Sequence, residues 1–233
     1  MLRKIQGVSF PRSGFNLLAH MLLNYFSGDP MAKVNTEQPN IAGDFGYCEF
    51  YKHCNQTPCT DPQVTFQKSH DFGLEMLQSD ELDYMVLYRE PLPAIISFFE
   101  AELAWGNIAA SNDNFEFWER YFRKRLEYYQ MFKKKWVDDA PAKSHVIKYE
   151  DLTSKPGDIF HALVEWMAPT RQADRALINR IVECRKVKST RKPEDFRYYS
   201  NELQQRIDDS NRILPVRIVK RFFSGKKLQR TTK

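Results

Sequence analysis

The chain has 233 residues, of which 42% are hydrophobic and 14% aromatic, enough for one globular domain with a full core. No stretch approaches the ~18–20 uninterrupted apolar residues of a membrane span. The net charge is +5, and residues 212–233 carry eight basic side chains and no acidic one. We therefore expect a single domain over residues 1–233 with a basic C-terminal tail, residues 212–233.

The first predicted element is a strand over residues 4–10, followed by the turn PRSG at residues 11–14 and an apolar helix. Such a turn directs backbone N–H groups and the positive end of the helix dipole at one point. Arg12 adds a cation, and Ser13 and Asn16 add short polar groups, so the turn suits a phosphate-like anion. It lacks the Walker pattern G-x-x-x-x-G-K-[S/T], and similar turns also occur where Gly and Ser only cap a helix.

Three of the four cysteines, Cys48, Cys54 and Cys59, lie in the polar, loop-like segment 43–62, and the fourth is Cys184. Zinc sites prefer closely spaced C-x₂₋₄-C pairs in matched sets, and only Cys54 and Cys59 are close to each other. We favour free thiols over a Cys54–Cys59 bridge, and a bridge over a metal site. No metal ligands are assigned.

The next predicted strand, residues 64–70, ends in a lysine, a serine and a histidine. A lone histidine is more often structural than catalytic. However, His70 follows Lys68 at the carboxyl end of a strand, which is where a general base would belong.

A short apolar strand over residues 84–89 ends in Arg89, and a helix to about residue 105 follows it. Ligands of open parallel α/β sheets bind at the carboxyl ends of the strands. Arg89 and Ser97, about two turns into the helix, are therefore candidates for holding a second phosphate. The alternative is a surface pairing of Arg89 with Glu90 or Glu100.

Further elements complete an alternating pattern of strands and helices. A strand is predicted over residues 144–149, and Asn114 is predicted to cap a long amphipathic helix through residue 136. Two shorter helices are predicted around residues 158–167 and 173–186.

Taken together, these segments resemble the sulfotransferase family that uses 3′-phosphoadenosine 5′-phosphosulfate, over most of the chain and in the same order. Residues 11–14 look like its 5′-phosphosulfate loop, and Arg89 with Ser97 look like its 3′-phosphate pair. Residues 68–70 resemble its Lys-Thr-His element, in which the histidine is the catalytic base. Residues 149–152 resemble the segment whose tyrosine contacts the adenine.

The match extends to residues 189–197, which are similar to the family's C-terminal Arg-Lys-Gly stretch, with Pro193 in place of the glycine. At residues 15–17 the chain has Phe-Asn-Leu where the family has Thr-Thr-Trp. One hydroxyl contact and the family's adenine-stacking tryptophan are therefore missing from that turn.

The resemblance implies an α/β fold, a three-layer sandwich with a central parallel sheet, related to P-loop nucleotide enzymes. It implies transfer of a sulfuryl group from 3′-phosphoadenosine 5′-phosphosulfate to a hydroxyl or amine of a small molecule, leaving adenosine 3′,5′-bisphosphate. The implied catalytic residues are His70, Lys68 and Arg12. The implied nucleotide-binding residues are Arg12, Ser13, Gly14, Phe15, Asn16, Arg89, Ser97, Tyr149, Arg191 and Lys192. The segment 43–62 is expected to shape the acceptor pocket. The candidate lining residues are Phe45, Tyr47, Phe50, Tyr51, Phe72 and Trp105, and the four assigned to substrate binding are Phe45, Tyr47, Phe72 and Trp105.

Sulfuryl transfer needs no obligatory Mg²⁺, and the strand before Arg89 does not end in the metal-holding Asp of phosphoryl transfer. A small-molecule or nucleotide kinase and a non-catalytic nucleotide-binding protein remain the alternatives. No nucleic-acid-binding module is recognised. The first strand begins almost at once, so we expect a cytoplasmic protein without a signal peptide.

The basic tail includes a possible short amphipathic helix at residues 215–223. We expect this helix to dock on the core, and a weak contact with a membrane surface or polyanion is the alternative. The sequence names neither the acceptor nor the oligomeric state.

Overall fold

The computed structural model describes residues 2–33, 35, 38–185 and 192–212. The chain divides into two compact units, Met1–Tyr199 and Ser200–Lys233. The predictions for Arg191 and for a helix at residues 215–223 lie outside the described residues.

A six-stranded sheet forms the centre of the first unit. Its strands are β1 (Ile5–Ser9), β2 (Asn40–Ala42), β3 (Phe45–Glu49), β4 (Phe66–Ser69), β5 (Asp83–Tyr88) and β6 (Ser144–Lys148). They lie in the order β2-β3-β4-β1-β5-β6, and all neighbours are parallel except β2 and β3. The predicted α/β class with a central parallel sheet is confirmed, apart from the antiparallel edge strand β2.

Helices cover both faces of this sheet. They are α1 (Phe15–Ser27), α2 (Pro91–Ala104), α3 (Phe115–Lys133), α4 (Tyr149–Ser154), α5 (Pro156–Met167) and α6 (Arg175–Arg185). Apolar side chains of α1, α5 and α6 share one core with the inner strands. On the other face Phe10 packs against the α3 rings of Tyr128, Tyr129 and Phe132. The predicted three-layer arrangement follows from this packing.

The boundaries agree with the local chemistry of the sequence. Asn114 precedes α3, and its side chain accepts a hydrogen bond from the Phe117 N–H at 3.0 Å, so the predicted cap is confirmed. The prolines after Arg89 lie in the first turn of α2, where a missing N–H costs little. In the second unit, α7 spans Asn201–Arg212. No helix within the described residues is long and apolar enough to cross a membrane.

The connections of β1 and β5 leave these neighbouring strands in opposite directions. From β1 the chain passes through α1 towards β3, and from β5 it passes through α2 and α3 towards β6. Such a switch point opens a crevice at the carboxyl ends of the two strands. The turn after β1 and Arg89 after β5 therefore lie at the same edge of the sheet.

The segment 43–62, expected to be a loop, contains β3 and a single turn of π-helix, Phe50–Cys54. β3 pairs with β4 in parallel, with Tyr47 opposite Phe66 and Glu49 opposite Lys68. The polar residues after β3 obscured its short alternating pattern in the sequence.

Candidate functional site

Residues 11–16, here called the anion loop, comprise the turn after β1 and the first two residues of α1. The turn contains two left-handed positions, with φ of 65° at Arg12 and 84° at Gly14. Gly14 precedes the helix, which no side chain of the described residues caps. The N–H groups of a helix's first turn have no partner inside the helix. The Ser13 hydroxyl is buried without a hydrogen-bond partner among the described residues. The loop therefore presents several donors that an anion would satisfy.

Arg89, Ser97 and Tyr149 meet beside this loop, and together with Arg12 of the loop itself they are here called the arginine cluster. Arg12 Nε donates to Ser97 Oγ at 3.1 Å, and Arg89 Nη1 lies 3.5 Å from the Arg12 carbonyl oxygen. The Arg89 guanidinium lies over the Tyr149 ring, 4.5 Å from its centroid. The structure thus brings together the residues expected to bind the two phosphates and the adenine ring of the nucleotide.

Arg89 has little compensation for its charge. The Glu150 carboxylate lies 3.9 Å from Arg89 Nε, and this nitrogen is buried without a hydrogen-bond partner among the described residues. The suggested pairing with Glu90 is wrong, because Glu90 forms an ion pair with Lys148 instead. Burial lowers the pKa of Arg89, but a guanidinium keeps its charge at any physiological pH.

Tyr149, the first residue of α4, lies against the anion loop. A Cβ atom added to Gly14 would fall 2.6 Å from the Tyr149 ring. Only a glycine therefore allows this contact, in addition to the positive φ. The ring gives the loop an aromatic surface although residues 15–17 lack a tryptophan.

His70 follows β4 and is held by the end of β1. Its Nδ1 lies 3.1 Å from the Ser9 carbonyl oxygen and 3.0 Å from Ser9 Oγ. Because a carbonyl oxygen can only accept, Nδ1 carries the hydrogen and the lone pair is on Nε2. Burial, with the nearby Lys68 cation, lowers the pKa of His70 to about 4. The ring is therefore neutral and able to accept a proton at neutral pH.

The backbone around His70 is fixed by side chains from α3 and the turn after it. Tyr128 donates its hydroxyl hydrogen to the His70 carbonyl oxygen at 2.9 Å. The buried Asp71 carboxylate accepts from Lys135 Nζ and Trp136 Nε1, each at 2.8 Å. No local sequence pattern indicates these partners, because they lie about 60 residues further along the chain.

Three aromatic rings, Tyr51, Phe72 and Phe98, form a wall beside His70, and with it they are here called the histidine cluster. Tyr51 stacks on the imidazole with centroids 6.1 Å apart, and Phe72 lies 5.3 Å from it. Phe72 in turn stacks on Phe98 of α2, the residue after Ser97. Tyr51 and Phe72 are 41% and 44% exposed, so the wall is open to a ligand.

Lys68 is buried and paired. Its Nζ donates to Asn16 Oδ1 at 2.6 Å and lies 3.2 Å from Glu49 Oε1. Burial lowers the pKa of Lys68, and the Glu49 carboxylate opposes this. Burial alone would raise the pKa of Glu49, but Lys68 and Lys52 together lower it. The result is an ion pair beside the first turn of α1.

Three of the four expected acceptor residues need correction. Phe45 is fully buried, with its ring 4.7 Å from Phe26, so it is a core residue. Tyr47 is also buried, and its hydroxyl contacts Glu49. Trp105 is 61% exposed at the far end of α2, about two turns beyond Phe98. Phe72 alone lies beside His70.

Two further assigned residues occupy different positions from those expected. The Phe15 side chain is buried in the core against Phe66, so only its backbone N–H is available to a ligand. Lys192 is exposed and precedes a short turn, Pro193–Asp195, that packs against α2. Arg191 lies outside the described part of the chain.

No family model and no curated protein sequence matches this chain. Several solved structures do resemble it. The sulfotransferase domain from the curacin biosynthetic pathway is 17% identical, with 92% of this chain and 99% of that chain covered and a TM-score of 0.42. The sulfotransferase from Alicyclobacillus acidocaldarius is 10% identical, with coverages of 80% and 95% and a TM-score of 0.40.

A third structure, the sulfotransferase domain of the Synechococcus PCC 7002 olefin synthase, is 14% identical, with coverages of 91% and 95% and a TM-score of 0.37. All three are sulfotransferases, the family that the motifs of this chain resemble.

Proposed function

We propose that this protein transfers a sulfuryl group from 3′-phosphoadenosine 5′-phosphosulfate to a hydroxyl or amine of a small molecule. The observation that carries the proposal is a pair of buried donors without a hydrogen-bond partner in the described part of the chain, Ser13 Oγ within the anion loop and Arg89 Nε next to it. A buried donor without a partner costs free energy, and an anionic ligand would remove that cost. The loop N–H groups with Ser13 would hold the 5′-phosphosulfate, and Arg89 with Ser97 the 3′-phosphate.

The adenine would lie against Tyr149, whose ring contacts both Gly14 and the Arg89 guanidinium. Arg12 Nε is hydrogen-bonded to Ser97 in this structure. Its guanidinium keeps further donors for a phosphate or a sulfuryl oxygen.

In the proposed reaction His70 Nε2 takes the proton from the acceptor hydroxyl or amine. The acceptor oxygen or nitrogen forms a bond to sulfur, and the bond between sulfur and the bridging phosphate oxygen breaks. The electron pair of that bond stays on the 5′-phosphate. Lys68, beside the first turn of α1, and Arg12 would offset the charge that develops there.

The open wall of Tyr51 and Phe72 favours an acceptor with a flat apolar body next to its hydroxyl group. A phenol fits this description better than a monosaccharide. The reaction as proposed uses no metal ion, and a kinase or a non-catalytic nucleotide-binding protein would be the alternatives.

The decisive experiment is calorimetric titration with adenosine 3′,5′-bisphosphate without metal, beside ATP with Mg²⁺. We expect tight binding of the bisphosphate alone, followed by transfer of labelled sulfate to a phenol. A preference for Mg-ATP would favour a kinase. Bisphosphate binding without transfer to any of a panel of phenols, alcohols and amines would favour a binding protein.

A further inference from the structure

Three cysteines come together next to the histidine cluster although they are spread over the segment 43–62. Cys48 lies on β3, Cys54 is the last residue of the π-helical turn, and Cys59 lies in the loop that follows. Their three sulfur atoms lie within 4.8 Å of one another, and those of Cys48 and Cys54 are 3.2 Å apart. Cys48 and Cys59 are buried, whereas Cys54 is half-buried and leaves one side accessible.

Gln67 of β4 holds this arrangement with its whole amide group. Its Oε1 accepts from the Cys59 N–H at 2.9 Å. Its Nε2 donates to the Gln56 carbonyl oxygen at 2.6 Å and lies 3.0 Å from Cys54 Sγ. An N–H group aimed at a cysteine sulfur stabilises the thiolate form, and such donors around metal-bound ligands tune a metal site.

We propose that Cys48, Cys54 and Cys59 bind one thiophilic divalent cation, of which Zn²⁺ is the best fit, as three thiolates. Zinc–sulfur bonds of about 2.3 Å in a tetrahedron place sulfur atoms roughly 3.8 Å apart, which lies within the spread of this cluster. The fourth position would be taken by water. Binding releases one proton from each of the three thiols to solvent, and each sulfur then donates an electron pair to the cation.

The charge balance favours this occupant. Three thiolates whose sulfur atoms lie within 4.8 Å of one another would repel without a cation between them. A divalent cation reduces the charge of the site to about −1, and the Gln67 N–H offsets part of the remainder. A Cys48–Cys54 disulfide is the competing outcome, but it would leave Cys59 unused and weaken the acceptor that Gln67 contacts.

The site would order the residues that face the proposed chemistry. Glu49, the partner of Lys68, directly follows Cys48, and Tyr51, which stacks on His70, lies within the turn that Cys54 closes. A bound cation would hold both ends of this turn. This inference does not rest on the proposed function, because it is tested by metal binding alone.

The test is a titration of the full-length protein, reduced and freed of metal by a chelator, with Co²⁺ and then Zn²⁺ under anaerobic conditions. We expect one equivalent of Co²⁺ to produce thiolate-to-cobalt charge-transfer absorption, and Zn²⁺ to displace it and raise the melting temperature. Cys48→Ser should weaken binding by at least about 100-fold. Cys184→Ser, which removes the exposed cysteine of α6, should bind as the wild type does.

Gln67→Leu provides a second variant that keeps all three sulfurs, adds no ligating atom and removes the N–H donor. We expect it to weaken binding by about 10–100-fold, with circular dichroism confirming that it is folded. The inference is overturned if the reduced wild type gives no charge-transfer band. It is also overturned if Cys184→Ser abolishes the band. A protein that forms a Cys48–Cys54 disulfide on oxidation but binds no Co²⁺ or Zn²⁺ when reduced would overturn it as well.

Discussion

The arginine cluster and the Lys68–Glu49 pair lie at the same edge of one sheet, but they differ in how well the positive charge of each is compensated by neighbouring groups. Lys68 has a carboxylate at 3.2 Å and an amide oxygen at 2.6 Å. Arg89 has a carboxylate at 3.9 Å and a carbonyl oxygen at 3.5 Å, and its Nε has no hydrogen-bond partner among the described residues. Lys68 therefore has a fixed anionic partner before any ligand arrives, whereas Arg89 is suited to pairing with an incoming anion.

The histidine cluster resembles the Lys68–Glu49 pair, because its interactions are complete without a ligand. His70 is neutral, hydrogen-bonded through Nδ1 and packed between rings. Its position is determined before any ligand arrives. The arginine cluster should therefore control nucleotide affinity, and the histidine cluster should control the rate of the chemical step.

The largest effect is expected for His70→Ala. Loss of a positioned base should reduce turnover by about 10²–10⁴-fold, because proton removal from the acceptor would depend on water. Affinity for adenosine 3′,5′-bisphosphate should stay within about twofold of the wild type. Steady-state rates and calorimetry measure the two quantities. His161→Ala on α5 is the matched control, and full activity in the His70 variant would remove this residue from the mechanism.

Gly14→Ala tests the contact between the anion loop and Tyr149. Both Gly14 and Gly28 have positive φ, 84° and 73°, but a Cβ at Gly28 would meet no atom of the described residues within 4 Å. The two alanine variants share the backbone strain, so their difference in free energy of unfolding isolates the clash with the ring. We expect Gly14→Ala to be less stable by about 1–3 kcal/mol beyond Gly28→Ala. Equal losses in chemical denaturation would mean that Tyr149 moves freely.

Arg89→Ala should weaken binding of adenosine 3′,5′-bisphosphate by about 10–100-fold, the value of a charge-assisted hydrogen bond. Turnover at saturating donor should change much less, which is the reverse of the His70→Ala pattern. Arg123→Ala, on the exposed side of α3 beside Glu119, is the control. An unchanged calorimetric titration for Arg89→Ala would exclude this residue from the nucleotide site.

The sequence predicted the elements whose polar residues follow directly after an apolar strand. The anion loop, the strand ending at His70 and the strand ending before Arg89 all carry that signal. β3 was missed, because Cys48 and the polar residues that follow hide its alternation. Phe45 and Tyr47 were therefore assigned to a pocket instead of the core.

The partners that set the chemistry were not predictable in the same way. Ser9 and His70 are 61 residues apart, and no local pattern marks a strand-end carbonyl as the acceptor of a histidine N–H. Glu49 and Lys68 meet only because β3 and β4 are neighbours in register. Such pairs follow from sheet order, which the sequence alone left open at this edge.

The smallest expected effect concerns pH and distinguishes His70 from an ordinary histidine. With the pKa lowered to about 4, the imidazole stays neutral as the pH falls, and its proton-accepting form is lost only near pH 4. For an ordinary histidine with a pKa of about 6.5, the neutral fraction would fall about tenfold between roughly pH 7.5 and 5.5. We therefore expect kcat/KM for an aliphatic alcohol acceptor to fall less than about twofold between pH 7.5 and 5.5.

Saturating donor is needed in this experiment, because a phosphate monoester itself titrates near pH 6 and would change nucleotide affinity. An alcohol is preferred to a phenol, since its own ionisation lies far from the range. A fall in kcat/KM with an apparent pKa near 6.5 would show that solvent reaches the imidazole. Tyr51 and Phe72 would then not keep it buried. A flat pH profile of kcat/KM would show that packing keeps His70 in its neutral, proton-accepting form. Arg89, at the same edge of the sheet, instead depends on its ligand to compensate its positive charge.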